Sequence, residues 1–316
     1  MAIKPPMLRP GDTIGIVTPG SPEEADVIND RIDTLRGMGF NVVLGQYVYA
    51  ENGFLAGTDQ QRAFDLMSMF ENEQVNMIMP TRGGVGVAGI LPYLDYNLIR
   101  RNPKIVTGYS DITVLLNVLY QLSNLVTFHG LMLVNFHQEE PAYNFEQYFE
   151  AVTQVNPFRR IENPPDKPQI SRVPGNVTGP VVGGNLTPFV GTLGTPFDID
   201  TRGKILLLEE VNEPMTRVYR YLNHLKLAGK FDDCIGIILG ECTDCIPSFG
   251  VTYEDLINDF LVPLGKPLMT NVATAHGEYK TTIPIGVNVN LNTFENTLTV
   301  VEPAVSPYIS KRSFFL

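Results

Sequence analysis

Gly108-Tyr109-Ser110-Asp111 stands between an apolar run, residues 104–107, and a helical stretch from 112 to about 122. A sharp strand-to-helix turn lifts a serine Oγ above a sheet and leaves N–H groups at the helix start to hold an oxyanion. Ser110 is therefore a candidate nucleophile. The alternative is a helix cap, since serine is common there and Ile112 stands where G-x-S-x-G has its second glycine. A serine needs a base, and the chain has four histidines. His224 lies in an amphipathic helical pattern and His137 in a polar stretch before Gln138-Glu139-Glu140, so both read as surface groups. His129 follows the strand-like residues 126–128, and His276 follows Ala273-Thr274-Ala275 at the end of another run. Strand ends are where catalytic side chains converge, so position alone leaves these two in competition. The acid has two candidates: residues 204–208 form an apolar run ending in Glu209-Glu210. Strand alternation sends the two carboxylates to opposite faces, so one of them can hold a given imidazole in its tautomer. The other reading is of solvated charges at a strand exit. Ser110, Glu209 and His276 would run in the order nucleophile, acid, base, as in α/β-hydrolases.

A second cluster, Arg82-Gly83-Gly84-Val85-Gly86, follows a strand-like run at 76–79. Glycines there allow close backbone approach to a ligand. Arg82 is a candidate for binding a substrate carboxylate through its planar fork, or else for pairing with a neighbouring acid to hold the turn. Thr18-Pro19-Gly20-Ser21-Pro22 is not a G-x-G-x-x-G fingerprint, and neither H-E-x-x-H nor a P-loop occurs, so no nucleotide cofactor or metal is expected. Cys242 and Cys245 have C-x-x-C spacing without a second pair, so they and Cys234 are expected as reduced thiols.

The elements that must position these groups alternate. Residues 13–17, 40–44, 76–79 and 104–107 read as strands, and 23–38, 58–72 and 112 to about 122 as helices, with Thr58 or Asp59 as a cap. This rhythm predicts an α/β fold with a doubly wound, mostly parallel sheet. Five prolines, Pro157, Pro164, Pro165, Pro168 and Pro174, break the pattern without helical or strand periodicity. They predict a linker over 156–175, between an N-terminal domain at 1–155 and a C-terminal domain at 176–316. The second domain reads as mixed, with strands at 177–182, 204–211, 234–239 and 267–273 and helices at 215–227 and 253–264. It closes in a hairpin, 285–291 and 297–301, about a turn at 292–296.

Composition narrows the class. With 316 residues, 44% of them hydrophobic and 18% charged, the chain has enough apolar surface to order itself. A formal charge of −11 makes nucleic acid a poor partner. No apolar run reaches the roughly 18 to 20 residues of a membrane span. Residues 1–10 lack the apolar segment of a secretory signal, so a cytoplasmic location is expected.

Residues 8–22 (LRPGDTIGIVTPGSP) resemble the opening of the LD-carboxypeptidases, serine peptidase family S66. The resemblance continues through Arg82-Gly83-Gly84, Leu91-Pro92-Tyr93-Leu94-Asp95, Gly108-Tyr109-Ser110-Asp111-Ile112-Thr113 and Phe128-His129-Gly130. It then takes in Gly183-Gly184-Asn185-Leu186, Leu208-Glu209-Glu210, Leu239-Gly240-Glu241, His276-Gly277 and Pro284-Ile285-Gly286. The resemblance implies a Ser-Glu-His hydrolase with its nucleophile, Ser110, on an α/β domain. Glu209 and His276 would sit on a C-terminal domain with a β-barrel-like sheet. It further implies an oxyanion hole from the N–H groups of Gly83 and Asp111, Arg82 and Gly84 beside the substrate, Glu210 on the wrong face, and His129 near the site. No cofactor is implied, and the assembly would be a homodimer.

Two activities go with the family. One releases the terminal D-alanine of murein tetrapeptides by cutting the L-to-D amide after diaminopimelate, in cytoplasmic peptidoglycan recycling. The other, in relatives resembling the microcin C7 self-immunity protein, cuts an amide of aminoacyl-nucleotide analogues. Arg82 looks like the murein type, whereas Val85 replaces a usual tyrosine and leaves room for a different acyl group. A non-catalytic binding protein of the same fold would have no need to keep Ser110, Glu209 and His276 together.

Overall fold

Parallel strands cannot be joined by a tight turn, so the chain between them must cross over, and here it does so largely as helices. In the computed structural model, which describes residues 1–307, β1 (Thr13–Val17), α1 (Ala25–Gly37), β2 (Asn41–Leu44), α2 (Asp59–Glu71), β3 (Val75–Pro80), α3 (Tyr96–Arg101), β4 (Ile105–Gly108), α4 (Ile112–Ser123) and β5 (Thr127–His129) build the first sheet and its cover. Its parallel strands lie in the order β5-β4-β3-β1-β2. Thr58 caps α2 in a reciprocal box with Gln61. Helix α4 is apolar nearly all round, which suits it to a position between two layers: it packs on β4 and β5 on one side and on the second sheet on the other.

After α5 (Ala142–Thr153) come β6 (Arg159–Arg160), β7 (Ile170–Val173), β8 (Asn176–Asn185), α6 (Leu186–Val190), β9 (Ile205–Val211), α7 (Met215–Leu227), β10 (Gly236–Thr243), β11 (Leu268–Thr270), β12 (Ile283–Ile285), β13 (Asn288–Asn292) and β14 (Thr297–Val300). Eight of these strands form a mixed sheet in the order β6-β14-β13-β8-β9-β10-β11-β7. Strands β8 to β11 are parallel and the rest antiparallel. Consecutive β6 and β7 occupy opposite edges. Ser171 on β7 donates to Asn296 Oδ1 (2.8 Å), and Asn296 Nδ2 donates to Gln169 O (2.9 Å), so the β7 edge meets the β13–β14 turn. The sheet therefore curls into a half-barrel.

Two expectations, the closing hairpin and the reduced thiols, are corrected, and residues 156–175 contain β6 and β7, two edge strands of the half-barrel. Their prolines flank the paired residues, where a missing N–H costs no ladder bond. The alternating stretch 285–291 is divided between the sheets: β12 pairs antiparallel with β5 of the first, and β13 with β8 and β14 of the second. Finally, Cys242 and Cys245 are joined in a disulfide, their Cα atoms 5.4 Å apart where β10 ends, which is inside the bridging range. Cys234 is a buried thiol, and burial pushes its pKa up to about 11.

The core ignores the boundary between the halves. One continuous apolar cluster joins Ile16, Met77, Leu115 and Phe128 to Val289, Leu291, Leu298 and Val305, while a second fills the space between the half-barrel and α6 and α7. Among the described residues no helix is long and apolar enough to cross a membrane.

Candidate active site

The turn that carries Ser110 is built locally. Gly108 leaves β4 at φ 149°, and a side chain there would strike Ile112. Ser110 follows at φ 60°, a left-handed conformation that costs a non-glycine residue of order 1–3 kcal/mol and persists where the surroundings enforce it. Enforcement comes from both neighbours: Ile112 N donates to Tyr109 O (3.2 Å) and Thr113 N to Ser110 O (3.0 Å), starting α4.

Facing the serine is the glycine turn. A Cβ on Gly83 would lie 2.7 Å from Ser110 Cβ and 3.0 Å from both Ser110 Oγ and Asp111 N, so only glycine lets this backbone so close. The turn is clipped in place from three sides. Ser21 N donates to Gly83 O (3.1 Å), Val85 N donates to Ser21 Oγ (3.1 Å), and Val87 N donates to Asp111 Oδ2 (2.7 Å). Arg62, buried, donates to Pro19 O and Gly86 O and thereby ties the β1–α1 loop to the same turn. Burial raises the Asp111 pKa, opposed by the Val87 N–H and the Arg62 charge.

The imidazole of His276 comes from the opposite half. Its Nδ1 lies 2.8 Å from Glu209 Oε2, and the carboxylate is almost wholly buried. Tyr109 packs edge-on against the ring, centroids 5.1 Å apart. Ala275 at φ 57° and Asn271 at φ 59° show that the loop between β11 and β12 has an irregular path. Contacts with α5 hold it. Asn144 Nδ2 donates to Glu278 O (2.9 Å) and its Oδ1 accepts from Lys280 N (2.7 Å), while Lys280 Nζ pairs with buried Glu140 (3.0 Å). Thr281 Oγ1 bonds Gln147 (2.9 Å).

Strand alternation sends Glu210 away from the imidazole. It accepts from Asn185 Nδ2 (3.0 Å), Thr187 N (2.9 Å), Thr187 Oγ1 (2.6 Å) and Val211 N (2.9 Å), anchoring the start of α6. Burial raises its pKa against these bonds. Glu209 sits beside β8, in register with Asn185, whose backbone N donates to Thr113 Oγ1 of α4 (3.0 Å). Asn117 of the same helix exchanges bonds with Gly183 O (2.9 Å) and Gly183 N (2.8 Å). The helix that begins at the serine is thus bonded to the strand beside the acid.

Ser110, His276, Arg82, Gly83 and Gly84 line one cavity of about 300 Å³. Glu23, Tyr109, Met132 and Val134 complete it. Arg82 pairs with Glu23 at 3.4 Å and remains 42% exposed, so its guanidinium is only loosely engaged. His129 is fully buried behind the site, and burial drives its pKa down to about 4. His224 lies in α7, and His137 bridges Glu139 and Glu140. Among the described residues no group of three or more His, Cys, Asp or Glu side chains is placed to hold a metal ion.

Sequence reading missed Glu23, Asn117, Asn144 and Glu140. Asn117 left a usable trace, as an amide in the otherwise apolar run Val114 to Leu119. The others look like ordinary surface residues in sequence.

Residues 14–130 match the LD-carboxypeptidase N-terminal domain and residues 178–291 the LD-carboxypeptidase C-terminal domain. The chain belongs to the LD-carboxypeptidase family. A probable murein peptide carboxypeptidase of Bacillus subtilis (strain 168) is 36% identical to this LD-carboxypeptidase family member, across 96% of this chain and 95% of that protein. The microcin C7 self-immunity protein MccF of Escherichia coli is 28% identical over 95% of this chain and 96% of its own. Its wild-type apo structure matches with a TM-score of 0.90 at 25% identity, covering 96% of this chain and 100% of that one. A muramoyltetrapeptide carboxypeptidase from Oxalobacter formigenes matches with a TM-score of 0.80 at 25% identity, over 91% of this chain and 97% of that one. MccF has also been solved with aspartyl sulfamoyl adenosine.

Proposed function

We propose that this protein is a serine LD-carboxypeptidase of cytoplasmic peptidoglycan recycling, cutting the L-to-D amide at the C-terminus of murein tetrapeptides and releasing D-alanine. The observation that carries the reading is the buried Glu209–His276 pair at 2.8 Å, opening on the same cavity as a serine held at φ 60°. Glu209 fixes the tautomer with hydrogen on Nδ1, which leaves Nε2 as the base. Ser110 Oγ attacks the carbonyl as Nε2 takes its proton. The N–H groups of Gly83 and Asp111 take the oxyanion, a contribution of about 2.7–4 kcal/mol per donor in a serine hydrolase. The imidazolium then protonates the departing D-alanine amine, and water repeats the sequence on the acyl-enzyme.

Arg82, loosely paired and beside the glycine turn, exchanges Glu23 for the terminal carboxylate of the substrate and so distinguishes a chain end from an internal peptide. This reading leans toward a peptide acid. The competing substrate is an aminoacyl-nucleotide analogue of the kind bound to MccF, for which the exposed Val85 on the turn leaves space. Incubating the protein with a murein tetrapeptide and, in parallel, with aspartyl sulfamoyl adenosine separates the two. Release of D-alanine from the first alone is expected. Cleavage of the second alone would transfer the assignment to the immunity type, and cleavage of neither would leave a binding protein. The homodimer implied by the family resemblance is proposed with it, and light scattering of the pure protein tests it.

A further inference from the structure

His129 ends β5, its Cα in register with Gly108 of the nucleophile turn on one side and with Ile283 on the other. It is fully buried, yet neither ring nitrogen has a hydrogen-bond partner. Among the described residues other buried polar atoms near the site share this condition, Arg62 Nε, Thr274 Oγ1, Thr282 Oγ1 and Glu209 Oε1, the carboxylate oxygen that does not face His276; of these Glu209 is the negatively charged acceptor whose field acts on the ring. A neutral imidazole always carries one N–H, and an unpaired buried donor or carboxylate oxygen is costly, so such groups find partners.

His129 and Glu209 are neighbours through β8. A Cβ on Gly184 would stand 3.0 Å from His129 Nδ1 and 2.7 Å from Thr113 Oγ1, and the next residue, Asn185, is in register with Glu209. Glycine at 184 is what lets the imidazole occupy this space. Burial is the main influence on the ring's pKa, which it lowers, followed by the charge of Glu209, which raises it, and that of His276, which lowers it. The titratable groups around Glu209 are His276 from the β11–β12 loop, His129 from β5, Tyr109 from the nucleophile turn, Glu210 beside it on β9, and Tyr253.

We infer that His129 is a positioning residue whose ring N–H is the donor, across one bridging water, for Glu209 Oε1, holding Oε2 on His276. The inference rests on the Ser-Glu-His reading above. A histidine suits the place because burial keeps it neutral throughout the working pH range, so it supplies a donor without adding a second cation beside His276. Clamping both carboxylate oxygens fixes the rotation of the acid, and with it the direction of the base.

His129→Leu removes the donor, and His129→Gln keeps one. In the leucine variant kcat is expected to fall about tenfold or more with KM unchanged, the loss of one hydrogen bond to a charged group. The acid limb of its kcat/KM profile, set by proton uptake on the His276–Glu209 pair, moves up by about one pH unit, because a carboxylate deprived of a donor favours the imidazolium beside it more strongly. Glutamine recovers most of kcat and the wild-type limb. A leucine variant with wild-type kcat and limb would overturn the inference. So would equal losses in both variants with an unmoved limb, which is the pattern of a scaffold residue.

Should the leucine variant fail to fold, the nitrogen-15 spectrum of the wild-type imidazoles decides. His129 stays neutral at pH 5, and its N–H resonance moves in Glu209→Gln. A resonance blind to that change overturns the inference. This readout is independent of turnover: if Ser110→Ala still hydrolysed at the wild-type rate, the nucleophile assignment would fall while the Glu209-dependent His129 signal remained.

Discussion

The serine and the histidine of the site are held in opposite ways. Ser110 is positioned by residues next to it in the chain: a glycine exit from β4, a left-handed serine, and the first bonds of α4. His276 lies on an irregular loop between β11 and β12 that is fastened, more than 120 residues earlier, by Asn144 and Gln147 of α5 and by Glu140 just before it. A nucleophile must project from a rigid point at one fixed angle, which a strand-turn-helix supplies by itself. His276 approaches from another layer, so its place depends on how the halves pack.

The largest test of the comparison is Ser110→Ala. Hydrolysis should fall by about 10⁴ to 10⁶ in kcat, with an unchanged melting temperature, because the side chain opens on the cavity and fills no core. More than a tenth of the activity remaining would remove Ser110 from the mechanism.

Next come the neighbouring acids. Glu209→Gln should cost about 10⁴ in kcat, as expected when an imidazole loses the carboxylate that sets its tautomer. Glu210→Gln should leave kcat nearly normal but lower the melting temperature, since this carboxylate accepts bonds from three residues at the start of α6 and the end of β9. If the two variants exchanged phenotypes, the acid of the site would be Glu210.

A smaller effect addresses the histidine's side directly. Asn144→Ala removes two bonds to the loop that carries His276, costing about 1–3 kcal/mol. It should lower kcat about tenfold or more while KM changes little. If kcat were untouched, the loop would hold its shape without α5, and the contrast with Ser110 would fail.

The smallest effect concerns specificity. Arg82→Lys exchanges a bidentate fork for a point charge and should raise KM about tenfold for the free peptide acid. A C-terminally amidated peptide should be equally poor before and after. Equal losses on both substrates, with lower thermal stability, would make Arg82 a support for the glycine turn through Glu23.

Local pattern makes most of the elements readable in the sequence. The runs at 13–17, 104–107 and 215–227 became β1, β4 and α7 with boundaries matching to within a residue. The turn at 108–111 was legible because glycine and serine between a strand and a helix leave few other geometries. Residues 156–175 were not, because a two-residue strand has no period to detect and exists only once β14 lies beside it. For the same reason 285–291 read as one strand, although Gly286, at φ 84°, hands the chain from one sheet to the other.

By itself, then, the sequence determined which residue types were at strand ends, that only one of Glu209 and Glu210 could face a given imidazole, and that a serine began α4. These follow from periods of two and 3.6 and from turn chemistry, which act over a few neighbouring residues. Tertiary structure alone decided that His276 Nδ1 meets Glu209 while His129 lies buried behind that pair, that α5 fastens the His276 loop, and that Arg82 faces Glu23. Each is a contact between segments far apart in the chain; those that cross between the halves, His129 behind the pair and α5 on the His276 loop, form where α4, apolar on nearly every side, is covered by both sheets at once.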